Sequence, residues 1–138
     1  MTTVRDILDQ KQSSLWSIHP KASILDALKI MSRRDVGALP VVDEMGLVGI
    51  VSERDFVHVI AKLQQCEIDR KIDRYMNKNV ITVTSDSTLE ECMFIMASKK
   101  VRHLPVMDKK EIIGLISYGD VIRALVAKAE AENEIEQP

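Results

Sequence analysis

Two stretches of this chain repeat each other at a fixed spacing, so its fold must use one local structure twice. Shifted by 65 residues, Ile30 meets Ile95, Met31 meets Met96, Val36 meets Val101, and Leu39-Pro40-Val41 meets Leu104-Pro105-Val106. The register runs on without a gap through Asp43/Asp108, Gly49/Gly114, Ser52/Ser117 and Asp55/Asp120. Ile24/Leu89, Val48/Ile113 and Ile50/Leu115 are conservative pairs in the same frame. Lead-in segments 4–8 and 72–76 match at an offset of 68, so a polar connector near Asp9 to Ser14 carries three extra residues in the first copy. A constant period of this kind marks a duplicated supersecondary unit.

Each copy shows the same order of local signals. Ser23 precedes Ile24, Ala27, Leu28 and Met31, spaced as one face of a helix. Thr88 precedes Leu89, Cys92, Met93 and Met96 in the same way. Ser23 with Asp26, and Thr88 with Glu91, have capping-box spacing and can satisfy the free amides of a helix start. Short apolar runs at 39–42 and 47–51 flank Asp43-Glu44-Met45-Gly46, which predicts a hairpin; 104–107 and 112–116 flank Asp108-Lys109-Lys110-Glu111 likewise. Second helices are expected at about 54–63 and 120–131, and a short strand at 15–18 or 80–83 opens each unit. The fold class is therefore α/β, with two β-α-β-β-α repeats. One unit of about 60 residues buries too little surface to stand comfortably alone. The two are expected to pack about a pseudo-two-fold axis with two clefts at the seam. Bounds follow as 1–65 for the first repeat, 66–71 for a linker, 72–131 for the second repeat and 132–138 for an acidic tail.

Composition narrows the function. Lys and Arg number 19 against 21 for Asp and Glu, a formal net charge of −2, and aromatics make up 4%. Neither a broad basic surface nor a set of base-stacking platforms is available, which argues against nucleic acid as partner. No run approaches the length of a membrane span, and the first residues have no signal-peptide pattern. Cys66 and Cys92 lack metal-ligand or CxxC spacing and read as reduced thiols, so a cytoplasmic setting is expected. His19, His58 and His103 form no metal spacing. A nucleophile elbow, a Walker A loop and a GxGxxG fingerprint are all missing, and no catalytic constellation is read.

The repeated order of helix, Val-x-x-Leu-Pro-Val-x-Asp, Gly-apolar-apolar-Ser-x-x-Asp and second helix resembles the cystathionine-β-synthase (CBS) domain. Two in tandem resemble the pair known as a Bateman module, here spanning about Val4 to Val126. The resemblance implies a regulatory binding module that requires no cofactor and takes AMP, ATP, NAD or an S-adenosyl compound in its clefts. It also implies a homodimer paired through helices. An adenosine ligand needs a carboxylate for its ribose hydroxyls, an apolar slot for its base and donors for its phosphate. Asp55 and Asp120 suit the first role. The helix-start amides, with the Ser52 and Ser117 hydroxyls, suit the phosphate, because a helix N-terminus carries partial positive charge. The family pattern places the base against Ser17, Ile18, Ala38 and Leu39 in the first copy, and against Thr82, Val83, His103 and Leu104 in the second. Arg54 and Arg102 are the candidate phosphate contacts, with His103 a pH-dependent donor.

Plainer roles stand beside these. Ser-x-x-Asp before an apolar helix is itself a capping box, and Arg54 and Arg102 read equally as solvated charges. Glu53-Arg54 is replaced by Tyr118-Gly119, and Gly37-Ala38 by Arg102-His103, so the two sites are expected to differ. Cys92 and the methionines of the helical faces read as core, and Trp16 as packing for the connector. A ligand-free oligomerisation scaffold is the alternative function, and a redox response through Cys66 a weaker one.

Overall fold

A computed structural model describes residues 2–11, 15–64 and 67–136. The elements run α1 (Val4–Gln10), α2 (Ile24–Arg34), β1 (Ala38–Asp43), β2 (Gly46–Ser52), α3 (Glu53–Leu63), a 3₁₀ turn (Ile72–Arg74), β3 (Val83–Thr84), α4 (Leu89–Lys99), β4 (His103–Asp108), β5 (Glu111–Ser117) and α5 (Tyr118–Glu136). Both hairpins form where the apolar runs place them, β1 with β2 and β4 with β5. Their registers are equivalent, and each slips at the same point, between Val41 and Val42 and between Val106 and Met107.

The opening strand is shorter than expected. In the second copy it is the two residues Val83–Thr84, parallel to Val106–Met107. In the first it is a single parallel bridge from Ile18 to Val41. The Ile18 N–H donates to the Pro40 carbonyl (3.0 Å), and the Ile18 carbonyl accepts from the Val42 N–H (2.9 Å). Pro20, two residues on, has no N–H to extend such a ladder. Trp16 instead packs its ring under the Arg34 guanidinium, 3.9 Å from the ring centroid. Helix α5 carries through residues 132–136, so the acidic tail is helical as far as Glu136. Glu132, Glu134 and Glu136 lie in that stretch, and glutamate is a strong helix former.

The chain forms two compact units, and their bounds do not follow the repeats at 1–65 and 72–131. One unit joins Met1–Ser14 to Ile81–Pro138; the other is Leu15–Val80. Each lead-in segment thus fills the other repeat's core. Val4 and Ile7 belong to the core with Leu104, Ile116 and Val121, whereas Ile72 belongs to the core with Leu39, Val51 and Phe56. Two glycines make room for this. A Cβ on Gly114 would stand 2.6 Å from a Leu8 methyl, and one on Gly49 would stand 2.7 Å from Met76 Sδ. Nine positions of the two cores correspond: Ile18/Val83, Ile24/Leu89, Ala27/Cys92, Met31/Met96, Leu39/Leu104, Val41/Val106, Val51/Ile116, Phe56/Val121 and Ile72/Val4. Burial pushes the Cys92 thiol up to about 11, so it is a packed, protonated group. Cys66 lies outside the described residues.

Candidate functional site

Each unit gathers its own complete set of candidate residues. In 15–80, β1 begins at Ala38, which pairs with Ser52 at the end of β2, while Leu39 pairs with Val51. Helix α3 starts at the next residue, so Ser52 is both the last strand residue and the helix N-cap. Its extended backbone (φ −133, ψ 162) is the geometry an N-cap requires. Asp55 Oδ2 accepts from the Ser52 N–H at 2.9 Å, and Ser52 Oγ accepts from the Asp55 N–H at 3.2 Å. The Glu53 N–H donates to the Gly37 carbonyl at 3.0 Å, tying the helix start to the residue before β1. Ala38 and Leu39 are buried beneath this corner, and Ile18 is fixed to the same strand further along. Ser17 and Arg54 are exposed.

The unit containing 81–136 repeats the corner. His103 pairs with Ser117 and Leu104 with Ile116. The Tyr118 N–H donates to the Arg102 carbonyl at 2.7 Å. Asp120 Oδ2 accepts from the Ser117 N–H (2.9 Å), and Ser117 Oγ accepts from the Asp120 N–H (3.1 Å). Val83 is buried in β3, Thr82 precedes it exposed, Arg102 is exposed, and His103 is half-buried. Both serine–aspartate pairs therefore form the capping box that their spacing predicted. At Thr88 the structure holds the hydroxyl half of its box, with Thr88 Oγ1 accepting from the Glu91 N–H at 3.1 Å.

The two carboxylates then diverge. Asp120 is gripped by two cations: Lys11 Nζ donates to Oδ2 at 2.8 Å and Arg123 Nη2 to Oδ1 at 2.8 Å. Lys11 also donates to the Leu115 carbonyl at 3.0 Å, which aims its ammonium at this corner. Burial works to raise the Asp120 carboxyl. The Lys11 hydrogen bond, the capping N–H and the Lys11 charge outweigh burial and hold the carboxyl below its ordinary range. In the first copy the positions of Lys11 and Arg123 hold Asn79 and His58. Asp55 thus meets its helix cap without a salt bridge among the described residues. The sequence reading missed Lys11, because the contact spans 109 residues and the lysine sits in the polar connector.

Doubled β-α-β-β-α units with a Ser-x-x-Asp helix start beside each hairpin define a class of small tandem-repeat α/β modules. The chain belongs to the CBS domain family, matching it twice, over residues 4–62 and 71–127. It is 33% identical to the mitochondrial CBS domain-containing protein CBSX3 of Arabidopsis thaliana, over 95% of this chain and 68% of that one. A solved CBS-domain protein of Agrobacterium tumefaciens, ATU1752, is 33% identical with a TM-score of 0.84, covering 89% of this chain and 98% of its own. The solved CBS pair of protein MJ0100 holds 5′-methylthioadenosine and S-adenosylmethionine; it is 28% identical, TM-score 0.81, covering 93% and 98% of the two chains. CBSX2 solved with AMP is also 28% identical, TM-score 0.76, covering 94% and 99%. A match also falls on the L-aspartate semialdehyde sulfurtransferase of Methanocaldococcus jannaschii, 29% identical over 93% of this chain but 24% of that enzyme. No helix among the described residues is long and apolar enough to cross a membrane.

Proposed function

We propose that this chain is a regulatory module that binds an adenosine-containing ligand and catalyses no reaction itself. One observation carries the reading: each unit sets a Ser-x-x-Asp helix start directly against the first residue of its hairpin, Ala38 beside Ser52 and His103 beside Ser117. Solved relatives at 28% identity hold AMP in one case and methylthioadenosine with S-adenosylmethionine in another.

Asp55 keeps its capping bonds and offers its remaining lone pairs to the ribose hydroxyls. The positive end of α3, with Arg54, meets the phosphate. Ser17, Ile18, Ala38 and Leu39 frame the base. In the other unit Asp120, Ser117, Arg102 and His103 take these parts, with Thr82, Val83 and Leu104 framing the base. There a ribose must first displace Lys11 or Arg123, so the Asp55 site fills first. The ligand is AMP, ATP, NAD or an S-adenosyl compound, and its binding changes the contact made with a second copy or with a regulated protein in the cytoplasm. Val57 (64% exposed) and Ile60 (37%), one turn apart on α3, support pairing of two copies through helices.

A ligand-free scaffold is the second reading, favoured by the saturation of Asp120. Thermal melting with each of the four ligand types separates the two. A specific ligand at 100 times its Kd adds about 2.7 kcal/mol of stability. A melting curve unmoved by every adenine compound would leave the scaffold.

A further inference from the structure

Unit 15–80 carries a groove of about 1040 Å³ that the adenosine reading leaves unused. Its Lys21 end lies toward the hairpin turn. Ile18 runs parallel to Val41, His19 Nε2 sits 3.3 Å from Glu44 in the turn, and Lys21 follows on the groove wall. Ser52 and Asp55 stand beside Ala38, at the far end of β1. The Lys21 end of the groove is thus most of a strand away from that corner, whereas Lys78 follows Asn77, which exchanges both backbone hydrogen bonds with Ile50, two residues before Ser52.

The groove is rigidly built. The N–H groups of Ile24 and Leu25 donate to the carbonyls of Arg70 (2.9 Å) and Ile68 (2.8 Å), and those of Ile72 and Asp73 donate to Ala22 (3.0 Å) and Pro20 (3.1 Å). Lys21 Nζ donates to Asp73 at 3.0 Å. Arg70 is paired with Glu67 and donates to the Tyr75 hydroxyl at 2.8 Å. Lys71, Arg74 and Lys78 complete the lining, exposed and without a salt bridge among the described residues. Five cationic side chains thus stand with Asp69, Asp73 and the Glu67 that pairs with Arg70, an excess of two positive charges, on a chain whose net charge is −2.

The other unit shows that the fold does not demand these cations. There Thr3 pairs with Thr88 as Lys71 pairs with Ser23. The Val4 and Arg5 N–H groups donate to Ser87 and Ser85, both at 2.9 Å, in the places of Ile72 and Asp73. Even the ion pair recurs with its signs exchanged, Arg5 to Asp86 at 3.4 Å. Yet the counterparts of Lys71, Arg74 and Lys78 are Thr3, Asp6 and Gln10. Backbone pinning is common to both units; the positive charge belongs to one. Lys71 stands at the N-cap of the 3₁₀ turn and Arg74 at its last residue, and both line the groove. Like charges so placed repel, and a multivalent anion between them removes the repulsion.

We propose that this groove is a second ligand site, taking a small anion with two or more linked phosphate groups, separate from the adenosine site. The Arg74 guanidinium offers a flat pair of donors to one phosphate, and Lys71 acts as a point charge on the next. Calorimetry with inorganic tripolyphosphate at low salt tests this on the full chain. One equivalent should bind per chain, more weakly as salt rises. Lys71→Ala/Arg74→Ala, with its fold checked by circular dichroism, should lose tenfold or more in affinity. Orthophosphate should bind at least tenfold more weakly than tripolyphosphate. Asp55→Asn should leave tripolyphosphate affinity within twofold, and the double variant should still bind AMP as wild type does. Those arms keep a failure of this site apart from a failure of the adenosine site. An absence of heat at millimolar tripolyphosphate overturns the proposal, as does equal affinity in the double variant. Tighter binding of a polyglutamate peptide than of tripolyphosphate would overturn it in favour of an acidic polypeptide.

Discussion

Set side by side, the two units share their interiors and differ at their working edges. Nine core positions correspond one to one, down to compensated exchanges such as Ala27 with Cys92 and Phe56 with Val121. At the helix starts the backbone is again the same, but Asp120 is clasped by Lys11 and Arg123 whereas Asp55, among the described residues, keeps its cap without a salt bridge. Elsewhere on 15–80 lie Lys71, Arg74 and Lys78, where the other unit has Thr3, Asp6 and Gln10. Duplication has fixed the packing and left the charges free to diverge, so charge is where separate tasks can be written into equal folds.

The largest effects should fall on the shared interior. Leu39→Ala and Leu104→Ala, both at fully buried positions, should each cost about 2–5 kcal/mol in urea unfolding; a loss confined to one would break the equivalence of the cores. Next comes the ligand corner. Asp55→Asn should weaken AMP binding by about 1–3 kcal/mol, the worth of a hydrogen bond to a charged group, and Asp120→Asn by less. Calorimetry showing the reverse ranking would refute the idea that Lys11 withholds the second carboxylate.

Gly114→Ala should cost about 1–3 kcal/mol by overpacking against Leu8. Gly49→Ala should cost more, because its Cβ would stand 3.1 Å from the Asn77 carbonyl, a backbone atom that cannot turn aside as Met76 can. Equal unfolding midpoints would remove that distinction. The Lys11 clasp also has a signature in acid. A carboxyl held low in the folded state lends stability that is complete above its ordinary value, 3.8 here, and is lost as pH falls through the folded value. Wild type should therefore lose stability below about pH 4 more steeply than Lys11→Met; parallel curves of urea midpoint against pH would discard the clasp. Smallest is Lys100→Gly, which relieves a left-handed cap (φ 56) and should add about 0.5–1 kcal/mol, read as a raised melting temperature.

Much of this was legible in the chain because its signals are local. Helical spacing from Ile24 to Met31, the hairpin turns, and the serine–aspartate boxes all act within a few residues, and the duplication confirms each by its partner. Long-range facts were hidden. Nothing near Val4 or Ile72 tells which repeat each will fill, because both copies offer the same glycine-lined berth. Lys11 reaches Asp120 across most of the chain, and the groove cations are scattered over the first repeat (Lys21), the linker (Arg70, Lys71) and the second repeat (Arg74, Lys78). The adenosine corner was legible as a cap from spacing, and as a binding place only through family resemblance.

The exchanged lead-in segments set an order on how the chain can mature. Residues 15–80 are continuous and hold every member of their own core, so they can close while the remainder is still being synthesised. The first eleven residues have no such option: Val4 and Ile7 must wait, uncovered, until β5 and Val121 exist. A cut placed between the repeats would therefore not yield two half-proteins. It would leave each fragment carrying the plug that belongs to the other.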